Sequence, residues 1–298
     1  KKINNPTNLK KDKPALINKT KLSKDTKKIL DLLNKSKRPS ILIGAGVKRD
    51  VAIKLQKKLK KLKIPLMLTW NASDRIDSNS QNYFGRPNTW GQRYSNIIIQ
   101  QSDMLLALGT RLGLQQTGFN WKEFVKSGKI IHVDIDQNEL NKHHPKTTYS
   151  INNDANKILQ SLLKFKVSDK VEWFNYCKEI KEYFPLVENC NTTRKGYVSP
   201  YDFYFKISKI AKKNDIVIPC SSGGAFTTFN QTFEQKIGQK ILNNKALASM
   251  GYGLSGAIGA SFANRNKRVL HFEGDGGFTQ NLQEYGTVAI NKLNIKTF

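Results

Sequence analysis

Short apolar runs alternate along the chain with segments in which apolar residues recur every three or four positions. Apolar runs bounded by charge, proline or glycine predict buried parallel strands, and the longer period predicts helices. The runs that predict strands lie at 39–43, 64–69, 103–109, 129–136, 215–219 and 269–272. Strands that alternate with helices form parallel sheets covered by those helices, so the predicted fold class is α/β.

A change in composition divides the chain, whose 298 residues leave room for two domains, each with its own core. Residues 1–24 are polar and rich in lysine, which predicts a linker or arm before a helix that starts at Thr26. We expect a first domain over 25–165 and a second over 198–298. The interval 166–197 is charged and aromatic, which predicts a helix and then an interdomain linker, with aromatic side chains packed between the domains.

The net charge invites an interpretation that the rest of the sequence does not favour. The formal charge is +27, from 50 basic and 23 acidic residues, as in many nucleic-acid-binding proteins. The lysines are spread over nearly the whole chain, and asparagine is also plentiful. A genome that favours lysine and asparagine is the plainer explanation, so we expect no nucleic acid as partner. No apolar run reaches the roughly 18 residues of a membrane span, so we expect no membrane partner.

The three cysteines indicate a reducing environment. Cys177, Cys190 and Cys220 are widely spaced, and no pair has the spacing of a zinc or redox motif. Their odd number argues against a disulfide framework. A cytoplasmic location is therefore expected, and no apolar segment near the start predicts a signal peptide.

The candidate chemistry lies where the predicted strand 269–272 runs into glycines and then into a helical pattern. A helix N-terminus offers unpaired backbone N–H groups and receives phosphate. Gly276 and Gly277 have no Cβ, so a diphosphate could approach their backbone closely. Asp275 offers a hard carboxylate oxygen, which suits a Mg²⁺ that already carries diphosphate oxygens. The alternative is an ordinary Asp-Gly turn with a solvated carboxylate.

A second turn of small residues follows the predicted strand 215–219. It contains Ser221, Ser222 and Gly223 and can expose its backbone N–H groups. The first domain has only a lone Gly-x-Gly at 44–46, which is a weak signal for a dinucleotide because the third glycine is missing. Close packing of helix on strand explains those glycines at least as well.

Several motifs in a fixed order resemble those of thiamine diphosphate enzymes, and above all the acetolactate synthase-like group. They are Ser102–Leu112, Thr117–Gly118 and Ile131–Asp136 in the first domain, and Ser249–Leu254, Ala257–Ala260, Glu273–Gly276 and Asn281–Glu284 in the second. The resemblance covers about residues 35–298. It implies two parallel-sheet three-layer domains, a Rossmann-like central domain and a truncated thiamine diphosphate-binding fold.

The resemblance also implies roles for single residues. It makes Asp275 a Mg²⁺ ligand and lets Gly276 and Gly277 bind diphosphate oxygens through their N–H groups. Met250 would be the apolar support that bends the cofactor and brings its aminopyrimidine nitrogen near the thiazolium carbon. The other cofactor-binding residues that it implies are Ser221, Ser222, Gly223, Ser249 and Gly274.

The function implied by the resemblance is that of a 2-oxo acid decarboxylase or carboligase that uses thiamine diphosphate and Mg²⁺. The family forms homo-oligomers, dimers or tetramers, whose active sites lie between subunits. The loops 70–74 and 88–93 do not match the glycine-rich loops that contact FAD in acetolactate synthases, so FAD stays open but is not favoured. A non-catalytic module that kept the fold and binds a nucleotide or cofactor is the alternative.

Two parts of the family pattern have no counterpart in this sequence. The pyrimidine-binding domain is missing, and with it the glutamate that activates the aminopyrimidine. The sequence also stops at Phe298, before the asparagine pair that normally supplies the next Mg²⁺ ligand. We therefore expect a piece of a longer enzyme, or a partial gene product, with no catalytic residue of its own, weak cofactor binding and little or no activity alone.

Overall fold

The structure is a computed structural model that describes residues 19–220, 222–244 and 247–298. Nine strands are present in these ranges. They are β1 Pro39–Ile43, β2 Leu66–Leu68, β3 Met104–Leu108, β4 Lys129–Asp134, β5 Tyr149–Asn152, β6 Ile216–Pro219, β7 Lys240–Ile241, β8 Val269–Phe272 and β9 Ile295–Thr297. They form two all-parallel sheets with orders β2-β1-β3-β4-β5 and β7-β6-β8-β9. The predicted α/β class with two parallel-sheet domains is confirmed.

Helices connect most of the strands and cover both faces of the sheets. They are α1 Lys19–Lys35, α2 Arg49–Leu59, α3 Arg93–Gln101, α4 Leu114–Thr117, α5 Gln137–Asn141, α6 Ala155–Leu162, α7 Val171–Tyr183, α8 Pro200–Ile210, α9 Gly223–Thr232, α10 Tyr252–Ala263, α11 Asp275–Thr279 and α12 Tyr285–Ile290. None of the helices in the described ranges is long and apolar enough to cross a lipid bilayer.

The first helix begins earlier than the sequence indicated. We expected an arm up to residue 24 and a helix from Thr26, but α1 starts at Lys19, so the expectation was wrong for 19–24. Lysine is a good helix former, and the lysines of this segment lie on the solvent side while Leu22 packs against the core. Residues 1–18 of the expected arm lie outside the described residues.

Each face of the first sheet carries its own apolar layer. On one face α1, α2 and α6 pack together, and on the other α3 and α7 do so. Trp173 and Phe174 of α7 belong to this second layer, and the Trp173 indole donates to the carbonyl of Pro39 at 3.0 Å. The expectation that the aromatic residues of this segment pack between the domains was therefore wrong for α7, because its apolar face covers the first sheet. The predicted domain limits themselves stay predictions.

Strand order reverses at the same place in both sheets. From β1 the chain passes to β2 on one side and later to β3 on the other, and from β6 it passes to β7 and then to β8. Such a reversal leaves a crevice at the carboxyl ends of the two flanking strands, which is where α/β proteins bind ligands. The fold therefore offers two candidate crevices, one at β1 and β3 and one at β6 and β8.

A polar seam joins the two domains and fixes the far end of α9. Arg86 is only 1 % exposed, and its guanidinium donates to the carbonyls of Asn230 and Phe233, both at 2.8 Å, and to the side-chain oxygen of Gln235 at 2.6 Å. The carboxylate of Asp74 accepts from the backbone N–H of Ile241 at 2.9 Å. Residues of the segment 70–93 therefore form hydrogen bonds with the second domain. The sequence indicated only loops, at 70–74 and 88–93, in this segment.

Candidate functional site

The turns that follow β6 and β8 lie side by side at the carboxyl edge of the second sheet. Pro219 lies opposite Phe272 in the parallel register, and the N–H of Cys220 donates to the carbonyl of Phe272 at 2.8 Å. The Cys220 thiol in turn lies 3.1 Å from the carbonyl oxygen of Ser222. The two predicted small-residue turns are therefore neighbours in space. Residue 221, within the turn after β6, lies outside the described residues.

The glycine turn after β8 forms the first turn of α11. Gly274 has extended backbone just before the helix, and its carbonyl accepts from the N–H of Phe278 at 2.8 Å. Asp275, Gly276 and Gly277 are thus helical, whereas the sequence indicated a helical pattern only after the glycines. The longer predicted helix is interrupted, because α11 ends at Thr279 and a 3₁₀ turn at Leu282–Glu284 precedes α12. The carboxylate of Asp275 is exposed, and no described residue forms a hydrogen bond or ion pair with it.

Met250 lies beside this turn, as the resemblance implies. A Cβ added to Gly276 would lie 3.1 Å from the Cε atom of Met250, whose side chain is 54 % exposed. The Asn281 amide ties the two segments, since its Nδ2 donates to the carbonyl of Gly251 at 2.7 Å and lies 3.1 Å from the Ser255 hydroxyl. The structure therefore brings Met250, which follows Ser249 in the chain, to the glycine turn, and it adds Asn281, to which the sequence analysis gave no role.

The glycines on the outer side of this edge face open space. A Cβ added to Gly223, Gly224 or Gly274 would meet no atom of the described residues within 4 Å. The side chain of Ser222, which precedes α9, makes no capping hydrogen bond to the first N–H groups of that helix. Unpaired N–H groups and an open backbone are the features that a diphosphate needs, so the residues present fit this part of the cofactor.

The fit to a magnesium ion is limited to one carboxylate. Within the described ranges no group of three histidine, cysteine or acidic side chains is placed to hold a metal. Mg²⁺ often keeps several waters and uses only one or two protein carboxylates together with phosphate oxygens. Asp275, exposed beside the open glycines, fits such a site.

Two buried ionisable residues beneath the turn were missed by the sequence analysis. The side chains of His271 and Glu273 are 0 % and 2 % exposed, and their Nε2 and Oε2 atoms lie 3.6 Å apart. Burial raises the pKa of the neighbouring Cys220 thiol to about 12, and the charge of Glu273 adds to the shift, whereas hydrogen bonds with the backbone of Ser222 and Gly274 oppose it. The one signal in the sequence for this buried pair was a glutamate placed between a buried strand and a glycine.

The crevice of the first sheet is built differently. It has a volume of about 710 Å³ and is lined by the ends of β1 to β4, among them Thr110, Asp134 and Asp136. Gly46 lies at the wall of this crevice, but a Cβ on Gly44 or Gly46 would collide with the backbone of Gly109. Close backbone packing, the alternative given for these glycines, is what the structure shows.

Comparison with known proteins identifies the class to which these two sheets and their glycine turns belong. Residues 26–162 match the thiamine pyrophosphate enzyme central domain, and residues 222–298 match the C-terminal TPP binding domain of the same enzymes. The chain belongs to the thiamine pyrophosphate enzyme family, and it carries the central and C-terminal domains of that family.

The similar curated proteins are acetolactate synthase large subunits. The chain is 28 % identical to acetolactate synthase isozyme 1 large subunit of Escherichia coli (strain K12) over 89 % of its own length and 46 % of the relative. It is 30 % identical to the acetolactate synthase large subunit of Cyanidium caldarium, over 91 % of this chain and 46 % of that protein. It is also 30 % identical to a probable acetolactate synthase large subunit of Methanococcus aeolicus, over 88 % of this chain and 46 % of that protein. The chain thus spans less than half the length of these relatives.

Proposed function

We propose that this chain supplies the diphosphate-binding half of the active site in a thiamine diphosphate- and Mg²⁺-dependent decarboxylase or carboligase of 2-oxo acids, similar to acetolactate synthase. The observation that carries the proposal is the open glycine edge at β6 and β8, where Gly223, Gly224 and Gly274 face empty space beside the exposed Asp275. Its position at the strand reversal of the matched TPP binding domain supports the same assignment.

The residues of this edge would act by binding and orientation. The first N–H groups of α9, at Ser222 and Gly223, and those of Gly276 and Gly277 would receive diphosphate oxygens, with Asp275 holding Mg²⁺ on them. The exposed thioether of Met250 would press on the cofactor and fix its conformation. When bound, thiamine diphosphate supplies the nucleophilic carbon and the electron sink for decarboxylation. Ser221, Ser249 and Gly274 complete the proposed binding set.

Other parts of the activity are proposed to come from outside this chain segment. The relatives are about twice as long as their matched part, so a pyrimidine-binding domain, on the same chain or another, would supply the activating glutamate. We propose a homo-oligomer as the active form and little activity for residues 1–298 alone. A cytoplasmic location belongs to the proposal and is supported by three free thiols, Cys177, Cys190 and Cys220.

A non-catalytic cofactor-binding module is the second candidate. It is favoured by the single carboxylate, Asp275, that the described residues bring to the proposed metal site. Turnover of a 2-oxo acid with release of CO₂ by the complete protein would exclude it. FAD is not favoured in this proposal, because the loops 70–74 and 88–93 lack the glycine-rich pattern of the loops that contact FAD in acetolactate synthases.

The test is a calorimetric titration of the full chain with thiamine diphosphate in the presence and absence of Mg²⁺. We expect Mg²⁺-dependent binding that Asp275→Ala weakens by about tenfold or more, since a metal-bound carboxylate is lost. Asp31→Ala removes an equally exposed carboxylate from α1 and is the matched control, with unchanged affinity. Equal affinities of the Asp275→Ala variant and the unaltered chain would refute the metal assignment.

A further inference from the structure

Glu273 occupies a space that two glycines leave open. A Cβ added to Gly253 in α10 would come far closer than 3.0 Å to the Oε2 atom of Glu273, and a Cβ added to Gly277 in α11 would do so with Oε1. Real Cβ atoms essentially never show such distances. The carboxylate therefore lies wedged between the first turns of two helices, and both turns need glycine where it touches them.

The wedged carboxylate of Glu273 lies against His271, a residue of the neighbouring strand β8. The Oε2 atom of Glu273 and the Nε2 atom of His271 are both buried, have no hydrogen-bond partner among the described residues, and face each other at 3.6 Å. On its other side the His271 ring lies 3.2 Å from the Thr297 hydroxyl, to which the Tyr285 hydroxyl also donates. The separation of 3.6 Å between Oε2 and Nε2 is longer than a hydrogen bond, so His271 supports the carboxylate from the sheet by contact alone.

The same carboxylate reaches all three segments of the candidate site. Cys220, which begins the turn after β6, lies near enough to Glu273 for the charge of that carboxylate to raise the pKa of the thiol, although burial is the larger cause. Gly253 follows the Met250 segment by three residues, and Gly277 follows Asp275 by two. One buried side chain therefore lies near the turn after β6 and touches the start of α10 and the start of α11.

We propose that Glu273 is a positioning residue, whose buried carboxylate sets the spacing between the Met250 segment and the Asp275 turn. The expected effect on cofactor binding rests on the proposed function, whereas the steric contact of Glu273 with the two glycines does not. Protein interiors are close-packed, so removal of the carboxylate leaves a void into which the flanking glycine backbones shift. The amide of glutamine has nearly the same shape and keeps the spacing.

The first experiment measures the wedge without any cofactor, by thermal unfolding of the full chain. Gly253→Ala should lower the Tm by about 5 °C or more, because its methyl group meets the carboxylate. Gly259→Ala is the matched control in the same helix, where a Cβ meets nothing within 4 Å, and its Tm should not fall. In the background of Glu273→Ala the Gly253→Ala change should cost clearly less, with only the contact of its Cβ at 2.7 Å from Nε2 of His271 left, whereas in Glu273→Gln it should cost as much as in the unaltered chain.

The second experiment repeats the calorimetric titration with thiamine diphosphate and Mg²⁺. Glu273→Ala should weaken binding by about tenfold, since displacement of the site by a fraction of an ångström misplaces its donors. Glu273→Gln should stay within about threefold, a rescue that a change of stability alone would not give.

The outcomes separate the two claims. Additive Tm losses for Gly253→Ala and Glu273→Ala would overturn the wedge. Unchanged affinity in Glu273→Ala, together with lost binding in Asp275→Ala, would overturn the positioning role and leave the proposed function standing. An unaltered chain that does not bind thiamine diphosphate would count against the proposed function, while the Tm series would still decide on the wedge.

Discussion

The carboxyl edges of the two sheets share one pattern, a buried strand that runs into glycines and then a helix, but they differ in what the glycines face. At the first edge Gly44 and Gly46 press on the backbone of Gly109, so the turns after β1 and β3 close on each other. At the second edge Gly223 and Gly274 face empty space. Similar local patterns thus pack backbone against backbone at the first edge, beside its crevice, and leave the glycine backbone open at the second.

The helix that follows each turn differs in the same way. Ahead of α2, the N–H of Lys48 donates to Asn156 Oδ1 at 2.8 Å, and the Asn156 amide returns a bond to the carbonyl of Gly46 at 3.0 Å. Neither helix has a side-chain hydrogen bond to its first N–H groups, but at the start of α9 a Cβ on Gly223 or Gly224 would meet no described atom within 4 Å. A helix start whose preceding backbone is tied to the protein interior leaves less room for an anion. The comparison therefore favours the second edge as the diphosphate site.

The largest expected effect comes from adding a methyl group at each edge. Gly44→Ala should destabilise the chain by about 3 kcal/mol, because its Cβ collides with backbone that cannot move aside. Gly224→Ala, in open space at the start of α9, should leave the free energy of unfolding unchanged or raise it by up to about 1 kcal/mol. Urea unfolding of both variants measures the contrast, and equal losses would contradict the difference between the edges.

A smaller effect is expected at the seam that joins the two domains. Arg86→Met keeps much of the volume but leaves the carbonyls of Asn230 and Phe233 without a donor, which should cost about 2 kcal/mol. Arg93→Met is the control, since Arg93 is largely exposed and paired at the surface with Glu188, and it should cost less than about 1 kcal/mol. Chemical unfolding followed by tryptophan fluorescence gives both numbers. Equal costs would show that the buried guanidinium does not fix α9.

The third prediction concerns pH and the thiols. Burial raises the pKa of Cys220 from 9.0 to about 12 and raises that of Cys177 further still. The unfolded chain therefore loses these protons first as pH rises, so the stability that the protonated thiols contribute is complete below about pH 9 and falls between pH 9 and 12. The free energy of unfolding measured across that range should decline as the pH rises. It should decline less in Cys220→Ser, which removes one of the two buried thiols.

The smallest expected effect is a difference in the rate at which the three cysteines are labelled. At pH 8 a soluble disulfide reagent should modify the exposed Cys190 within seconds to minutes, whereas Cys177 and Cys220 should react only as the protein unfolds. Mass spectrometry of the labelled peptides identifies the sites. Rapid labelling of Cys220 in the folded protein would show that the turn after β6 is not packed against Glu273.

The sequence was informative where apolar runs were long and continuous. The six predicted strands are present, because a strand buried on both faces needs an unbroken apolar run. The three that were not predicted, β5, β7 and β9, lie at the edges of their sheets, are two to four residues long and contain polar residues such as Asn152 or Lys296. Edge strands need less apolar surface, so their sequence does not distinguish them from loops.

The candidate site was predictable in part. Glycines and an aspartate at a strand end indicated the turn, and the ordered motifs indicated Met250 beside it. The role of Glu273 was not accessible, because its neighbour Gly253 lies 20 residues earlier and no period relates the two. The start of α1 and the packing of α7 were misjudged because charged, lysine-rich segments still form helices when one narrow face is apolar.

The most direct test of the central claim is amide hydrogen exchange of the full chain with and without thiamine diphosphate and Mg²⁺. We expect slower exchange at 222–225, 249–251 and 274–278, with no change at 44–47 or 109–113. Protection that appears at the first edge and not at the second would contradict the assignment of the diphosphate to the open glycines.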